Sequence, residues 1–302
     1  MTAQDSALPA LEPNITDTAL IFEGGGMRAS YTSAVVSLLL EQGIYFDWVG
    51  GISAGASNTA NYLSRDVKRS YESFVEFAAD PNFGSMRTWV EGNGLFNAPY
   101  IYEQAGVAGA ALPYDWDTFR ANPAQFAVGA FEMETGKMQY WGRESIDELH
   151  DFMLRVRASS SLPVLMPPVE LDGKTYVDGA LGPTGGFALD AARAAGYTKF
   201  FVVMTRSREY IKPPQRVSGL YRRLFRKYPA VINGILHRPH RYNESRAELF
   251  ELERKGEAYL FTPEHLSVSN SERDVRKLRR SYELGEQQAR RELPVMREFL
   301  GI

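Results

Sequence analysis

The pentapeptide Gly51-Ile52-Ser53-Ala54-Gly55 has the pattern G-x-S-x-G. Where a strand turns abruptly into a helix, such a pattern holds its serine in a strained conformation and exposes the hydroxyl at the carboxyl edge of a sheet. The helix N-terminus then lowers the energy of negative charge that develops beside Ser53. The chemistry this would serve is nucleophilic attack, with Gly51 and Gly55 forming the elbow; the alternative is a serine that opens a helix in an ordinary turn. Upstream, Gly24-Gly25-Gly26-Met27-Arg28-Ala29 has two readings. As G-x-G-x-x-A after a first strand, with Asp47 about 20 residues on, it imitates a dinucleotide-binding loop. As three successive glycines with unhindered N–H groups beside a nucleophile it is an oxyanion hole, and the combination with Ser53 ranks this reading first.

A serine nucleophile needs a base, and the chain has four histidines. His150 ends a charged helical stretch, His237 and His240 lie in an Arg- and Pro-rich segment, and His265 lies in a loop. Each reads as a solvated surface residue, although the order Ser, Asp, His of an α/β-hydrolase stays formally open. Asp178 is placed differently. It follows a strand and precedes Gly179, which lets the backbone fold back and aim the carboxylate at a site. An ordinary aspartate, with a pKa of about 3.9, is a weak base for a hydroxyl, so a direct role requires burial or hydrogen bonding that raises its basicity. A strand-end turn residue without a catalytic role is the competing reading.

The elements that would position these residues follow from hydropathy. Thr18–Phe22 is a continuous apolar run that ends at the glycines, as a buried parallel strand entering a tight turn would. Tyr31, Ala34, Val35, Leu38 and Leu39 keep helical spacing, with Gly43 just past the end. Trp48–Ile52 then predicts a second strand and Ala54–Leu63 a second helix, an order that argues for a parallel sheet with helices on its faces. The stretch 65–122 is mixed, with helices and an irregular excursion that periodicity does not assign. Runs at 124–133 and 137–141 predict a hairpin across Glu134-Thr135-Gly136, and Val169–Leu171 with 175–177 another across Asp172-Gly173. A helix is expected at 187–195 and a buried strand at 199–204. Past residue 206 the chain is basic and amphipathic and then rich in charged helical residues, with 259–261 its one strand-like exception. The expected organisation is a loose leader over 1–17, an α/β domain over 18–206 and a mostly helical region over 207–302.

With 302 residues, 44 % apolar and 24 % charged, the chain is long enough for an α/β core and is neither disordered nor fibrous in composition. The absence of cysteine excludes a disulfide framework, thiolate catalysis, iron–sulfur ligation and the usual structural zinc sites, and fits a reducing cytoplasm. There is no H-E-x-x-H and no calcium loop, so neither metal nor cofactor is expected. The N-terminus lacks the basic and apolar regions of a signal peptide, and no apolar run approaches the roughly 18 residues of a membrane span. The net charge of −3 points to no nucleic acid partner, yet residues 206–241 hold ten Lys and Arg against Glu209 alone, a net +9 that leaves −12 on the rest. Within that segment Leu220, Tyr221, Leu224 and Phe225 share a helical face beside Arg222, Arg223, Arg226 and Lys227, and Val231, Ile232, Ile235 and Leu236 repeat the apolar spacing. The pattern suits peripheral contact with an anionic membrane at its cytoplasmic face, and equally suits packing on the α/β domain.

Taken together these pieces resemble the patatin-like phospholipases, in bacterial form with an appended helical C-terminal region. Glu23-Gly24-Gly25-Gly26-Met27-Arg28 is similar to that family's oxyanion loop, Gly51 to Gly55 to its nucleophile elbow, and Asp178-Gly179-Ala180 to its catalytic Asp element. Ala158-Ser159-Ser160-Ser161-Leu162-Pro163 resembles the small-residue loop that precedes that aspartate. The resemblance implies a three-layer α/β/α sandwich with a mostly parallel sheet, a Ser53-Asp178 dyad without histidine, and hydrolysis of fatty acyl esters of lipids. Gly24, Gly25, Gly26, Met27 and Arg28 would form the oxyanion loop, with the N–H groups around Gly25, Gly26 and Met27 as donors. Two residues depart from the family's pattern: Glu23 replaces the commoner Asp, and Ala29 stands where Gly is usual. Arg28 is read as bracing the loop in preference to steering an anionic head group. The rival readings are a nucleotide- or dinucleotide-binding enzyme that uses Gly24–Ala29 and a non-catalytic lipid-binding scaffold of the same fold.

Overall fold

Strand β1 (Thr18–Phe22) is buried along its whole length, and its side chains split between two cores, Leu20 and Phe22 on one face and Ala19 and Ile21 on the other. A strand covered on both faces has no polar alternate positions, which is why the run is apolar throughout. The structure is a computed structural model that describes residues 11–216 and 218–302, the side chain of Leu220 excepted. Of the leader expected over 1–17, residues 1–10 lie outside the described residues. Asn14 and Ile15 are not loose, because both backbone N–H groups donate to Tyr45 O and Ile15 is buried.

The chain alternates strand and helix through α1 (Ala29–Glu41), β2 (Trp48–Ile52) and α2 (Ala54–Leu63). The excursion expected at 65–122 contains α3 (Val67–Glu72), α4 (Met86–Val90), a π-helical segment at Pro99–Gln104 and α5 (Trp116–Ala121). Then come β3 (Gln125–Glu132), β4 (Met138–Trp141), α6 (Leu149–Ser160), β5 (Val169–Leu171) and β6 (Lys174–Asp178). The last third holds α7 (Leu189–Ala194), β7 (Lys199–Val203), α8 (Gly219–Leu224), α9 (Pro229–Arg254), β8 (Ala258–Phe261) and α10 (Val275–Leu300).

Eight strands form one sheet in the order β5-β6-β3-β2-β1-β7-β8, with β4 also paired to β3. The run from β3 to β8 is parallel; β4 and β6 are antiparallel to β3, and β5 is antiparallel to β6. One core packs α1, α2, α6 and α10 against Leu20, Phe22, Val49 and Phe201, and the other packs α7 and α9 against Ala19, Ile21, Phe200 and Val202. This is a three-layer α/β/α architecture with a mostly parallel sheet, as expected.

Residue 206 falls just after β7, but the chain beyond it returns to the same sheet. The strand-like 259–261 is part of β8, which pairs with β7, and α10 lies along α1, where Ser30 and Ser281 hydrogen-bond at 3.0 Å. Half of the amphipathic segment is accounted for by packing. Phe225, Val231 and Ile235 are buried with Phe131, Val177 and Leu181, whereas Leu224, Leu236 and the charges of Arg222, Arg223, Arg226 and Lys227 are exposed.

Candidate active site

At the carboxyl end of β2 the backbone turns so tightly that a Cβ on Gly51 would lie 2.2 Å from Gly55 O, and one on Gly55 2.1 Å from Phe22 O. No side chain fits either gap, so both elbow glycines are required by contact between backbones. The same turn puts Ser53 at φ 60° and ψ −129°, a left-handed conformation that costs a non-glycine residue on the order of 1–3 kcal/mol. The strain is held by neighbours. Ser53 N–H donates to Ser159 Oγ at 2.9 Å, and Ser159 Oγ–H donates to Gly129 O at 2.6 Å. A paired prediction isolates the strain: Ser53→Gly and Ser53→Ala both remove the hydroxyl, and the glycine variant should be the more stable by about 1 kcal/mol in urea unfolding, because glycine accepts this conformation freely.

Asp178 ends β6, and its N–H donates to Ser161 O at 2.9 Å. Oδ1 accepts Ala180 N–H at 2.8 Å, which leaves Oδ2 to accept the Ser53 hydroxyl at 2.7 Å. Burial pushes the Asp178 carboxyl above the ordinary range, opposed by the positive charge of Arg238 and then by the hydrogen bonds from Ala180 and Ser53. The 158–163 segment thus holds both partners by one serine each. It is not a loop throughout, since Ala158, Ser159 and Ser160 close α6. The four histidines are all exposed; His237 hydrogen-bonds to Asn233 O and His240 pairs with Glu244, and none lines the space around Ser53.

The glycine loop is pinned from several sides. Glu23 is buried and accepts Thr205 N–H at 2.6 Å and Tyr242 O–H at 2.7 Å. Gly24 N–H donates to Gly186 O at 3.2 Å and Met27 N–H to Asn270 O at 3.0 Å. Among the described residues, the Gly25 and Gly26 N–H groups have no acceptor, so Met27, expected as a third donor, is already committed. The bracing expected of Arg28 finds no hydrogen bond to carry it, because its guanidinium bonds to nothing in the loop and its Nε is buried without a partner. The acidic residue that a dinucleotide loop needs is also misplaced. Phe22 pairs with Gly51, so the glycines sit at the carboxyl ends of β1 and β2, while Asp47 precedes β2, roughly 15 Å away by strand rise, and accepts Tyr197 O–H.

Ser53 stands where two cavities meet. One is walled by apolar side chains that include Phe74, Phe77, Phe83, Phe96, Met153 and Met166. The other is polar and is lined by Arg28, Arg206, Lys212, Arg238, Asp178 and Asn270. Sequence reasoning missed Asn270, which has no motif around it. It also missed the inward course of Arg206, Lys212 and Arg238, although the +9 segment carried the signal of their charge.

A strained serine hydrogen-bonded to a buried aspartate stands here beside a glycine loop on a three-layer α/β/α scaffold. Residues 20–188 match the family described as patatin-like phospholipase, and the chain belongs to that family. Residues 228–301 match a second family, described as a domain of unknown function, DUF6363. No curated protein sequence matches the chain. Among solved structures, the crystal structure of VipD from Legionella pneumophila is similar at 12 % identity and a TM-score of 0.49, over 92 % of this chain and 67 % of that one. The family membership supports lipid acyl hydrolysis as the general activity. No described helix is long and apolar enough to cross a membrane.

Proposed function

We propose that the protein hydrolyses fatty acyl esters of lipids through a Ser53-Asp178 dyad, with Gly25 and Gly26 as oxyanion donors. The observation that carries this reading is the 2.7 Å hydrogen bond from Ser53 Oγ to Asp178 Oδ2, made inside the cavities that the glycine loop also lines. Ser53 Oγ attacks the acyl carbonyl as Asp178 takes its proton, and the oxyanion is met by the free N–H groups. Collapse of the tetrahedral intermediate breaks the ester bond, Asp178 returns the proton to the departing alkoxide, and the acyl group stays on Ser53. Asp178 then deprotonates a water that attacks the acyl-serine; collapse of the second tetrahedral intermediate breaks the bond between Ser53 Oγ and the acyl carbon, Asp178 returns the proton to Oγ, and the carboxylic acid leaves. The apolar cavity suits the acyl chain, each buried methylene of which adds about 0.8 kcal/mol of binding. Hydrolysis of a panel of acyl esters and phospholipids by the wild type and Ser53→Ala tests the reading.

The dyad has a pH signature. Asp178 acts only when ionised, and burial raises its affinity for a proton, so activity should fall with acidification while the pH is still above the ordinary aspartate value of about 3.9. A kcat/KM profile on a neutral ester measures this limb, and a flat profile down to that value would count against Asp178 as the base.

The exposed charges suit the membrane side of the reading. Arg222, Arg223, Arg226 and Lys227, with exposed Leu224, form a basic face for an anionic bilayer, where each cation contributes about 1 kcal/mol through a field that salt screens. The protein should therefore co-sediment with anionic vesicles and not with neutral ones, less so at high salt. Changing the four cations together to Glu should abolish this; unchanged sedimentation in that variant would leave the face as ordinary surface.

A further inference from the structure

An ester has two halves, and a carbonyl seated at Ser53 sends its acyl chain toward the apolar cavity and its alcohol half toward the polar one. The two cavities share Gly26, Ser53, Leu162 and Asn270, so they meet at the reacting position and do not overlap elsewhere. The polar side is walled by four cations from separate parts of the chain: Arg28 from the glycine loop, Arg206 and Lys212 from the segment after β7, and Arg238 from α9. Among the described residues none of the four forms a salt bridge, although Lys and Arg elsewhere commonly do. Arg28 is only 7 % exposed, and Nε of Arg28, Arg206 and Arg238 is in each case buried without a partner.

Leaving like charges together and unpaired in a partly buried space is costly, and its cost is visible in their acidities. Lys212 is drawn down to about 7 by burial first and then by Arg238, Arg28 and Arg206, with Glu23 opposing, and Arg28 is drawn down to about 10 by burial and Arg206. The nearby carboxylates do not neutralise the cluster by direct pairing. Glu23 is committed to Thr205 N–H and Tyr242 O–H, and Asp178 to Ser53 and Ala180. With Lys212 protonated, the state a bound anion would favour, the four cations set against those two carboxylates leave two positive charges for a ligand to meet.

We propose that this pocket binds the dianionic phosphate monoester of the substrate's alcohol half, which makes the preferred substrate an acyl ester of a glycerol phosphate. The proposal rests on the hydrolase reading above and adds to it the substrate class. It also gives part of the domain of unknown function a task, since α9 delivers Arg238 to the site. Guanidinium groups suit the geometry of phosphate, with charge-assisted bonds stronger than neutral ones.

Two measurements on the full chain test it. The first is the ratio of kcat/KM for 1-oleoylglycerol 3-phosphate to that for 1-oleoylglycerol, each dispersed as mixed micelles in a neutral detergent. The wild type should favour the phosphate ester at least about tenfold, and Arg238→Gln and Lys212→Gln should each reduce that ratio by about tenfold, whereas exposed Arg276→Gln should not move it. The second is calorimetric titration with inorganic phosphate, which should bind the wild type and Ser53→Ala alike and Arg238→Gln at least about tenfold more weakly. Equal turnover of both esters overturns the proposal and leaves the hydrolase reading standing. Binding of inorganic phosphate without any preference for the phosphate ester also overturns it, by assigning the pocket to a free anion. Turnover of neither ester, nor of a p-nitrophenyl ester, removes the hydrolase reading and this proposal with it.

Discussion

Replacing Ser53 by Ala is expected to lower hydrolysis of a p-nitrophenyl acyl ester by roughly 10⁴-fold or more, because without Oγ no acyl-enzyme can form. Asp178→Asn should be nearly as damaging. The amide keeps the size of the side chain and can still accept a hydrogen bond, but it cannot take the proton that Ser53 must lose. Residues that act as one unit do not contribute additively, so the double variant should be no slower than the worse of the two single ones. Neither change should unfold the protein, since Ser53 N–H is held by Ser159 and Asp178 N–H by Ser161 through backbone groups that both substitutions keep. Circular dichroism checks that condition. His→Ala changes at 150, 237, 240 and 265 should each leave most of the activity, as all four side chains are exposed and away from Ser53. Loss of activity in one of them comparable to that of Ser53→Ala would restore a Ser-His-Asp arrangement.

The second large effect belongs to the glycine loop. Gly25→Val and Gly26→Val should each lower kcat by roughly 100-fold or more, with less effect on KM, because an oxyanion donor acts on the transition state and little on the bound ester. The two should fail for different physical reasons. A Cβ on Gly25 would lie 2.7 Å from Cβ and Oγ1 of the buried Thr205 side chain, while one on Gly26 would lie 2.3 Å from the backbone carbonyl of Asn270 at a φ of +56°. Valine at 26 therefore meets both a blocked space and a forbidden conformation, and it should also cost more stability than valine at 25. Chemical denaturation of the two variants beside the wild type separates the terms. Equal kcat in wild type and both variants would move the oxyanion donors elsewhere.

The parts of this site that can be read from the sequence are those whose cause is local. Gly51 to Gly55 signals a strand-to-helix turn because both glycines are dictated within a few residues, and Thr18–Phe22 reads as a buried strand because both its faces are covered. Asp178 stands out through the glycine that follows it. The apolar cavity was not legible, because Phe77 comes from a single 3-10 turn and Phe74, Phe83 and Phe96 from irregular turns around it, with no common period. The number of free oxyanion donors was not legible either, since what occupies Met27 N–H is a carbonyl at Asn270, far along the chain. The basic segment carries its charge openly, yet where the charge goes is decided by tertiary structure. Arg222 and Arg223 remain on the surface, while Arg206, Lys212 and Arg238 turn to the pocket once β7 and α9 have been laid against the sheet.

The central claim is that Ser53 is a nucleophile activated by Asp178, and its most direct test is covalent. A fluorophosphonate reagent should add once per chain, and mass spectrometry of the digested adduct should place it on the peptide that contains Ser53, with labelling strongly slowed in Asp178→Asn. No adduct on the folded protein, or an adduct on another residue that persists in Ser53→Ala, would contradict the account.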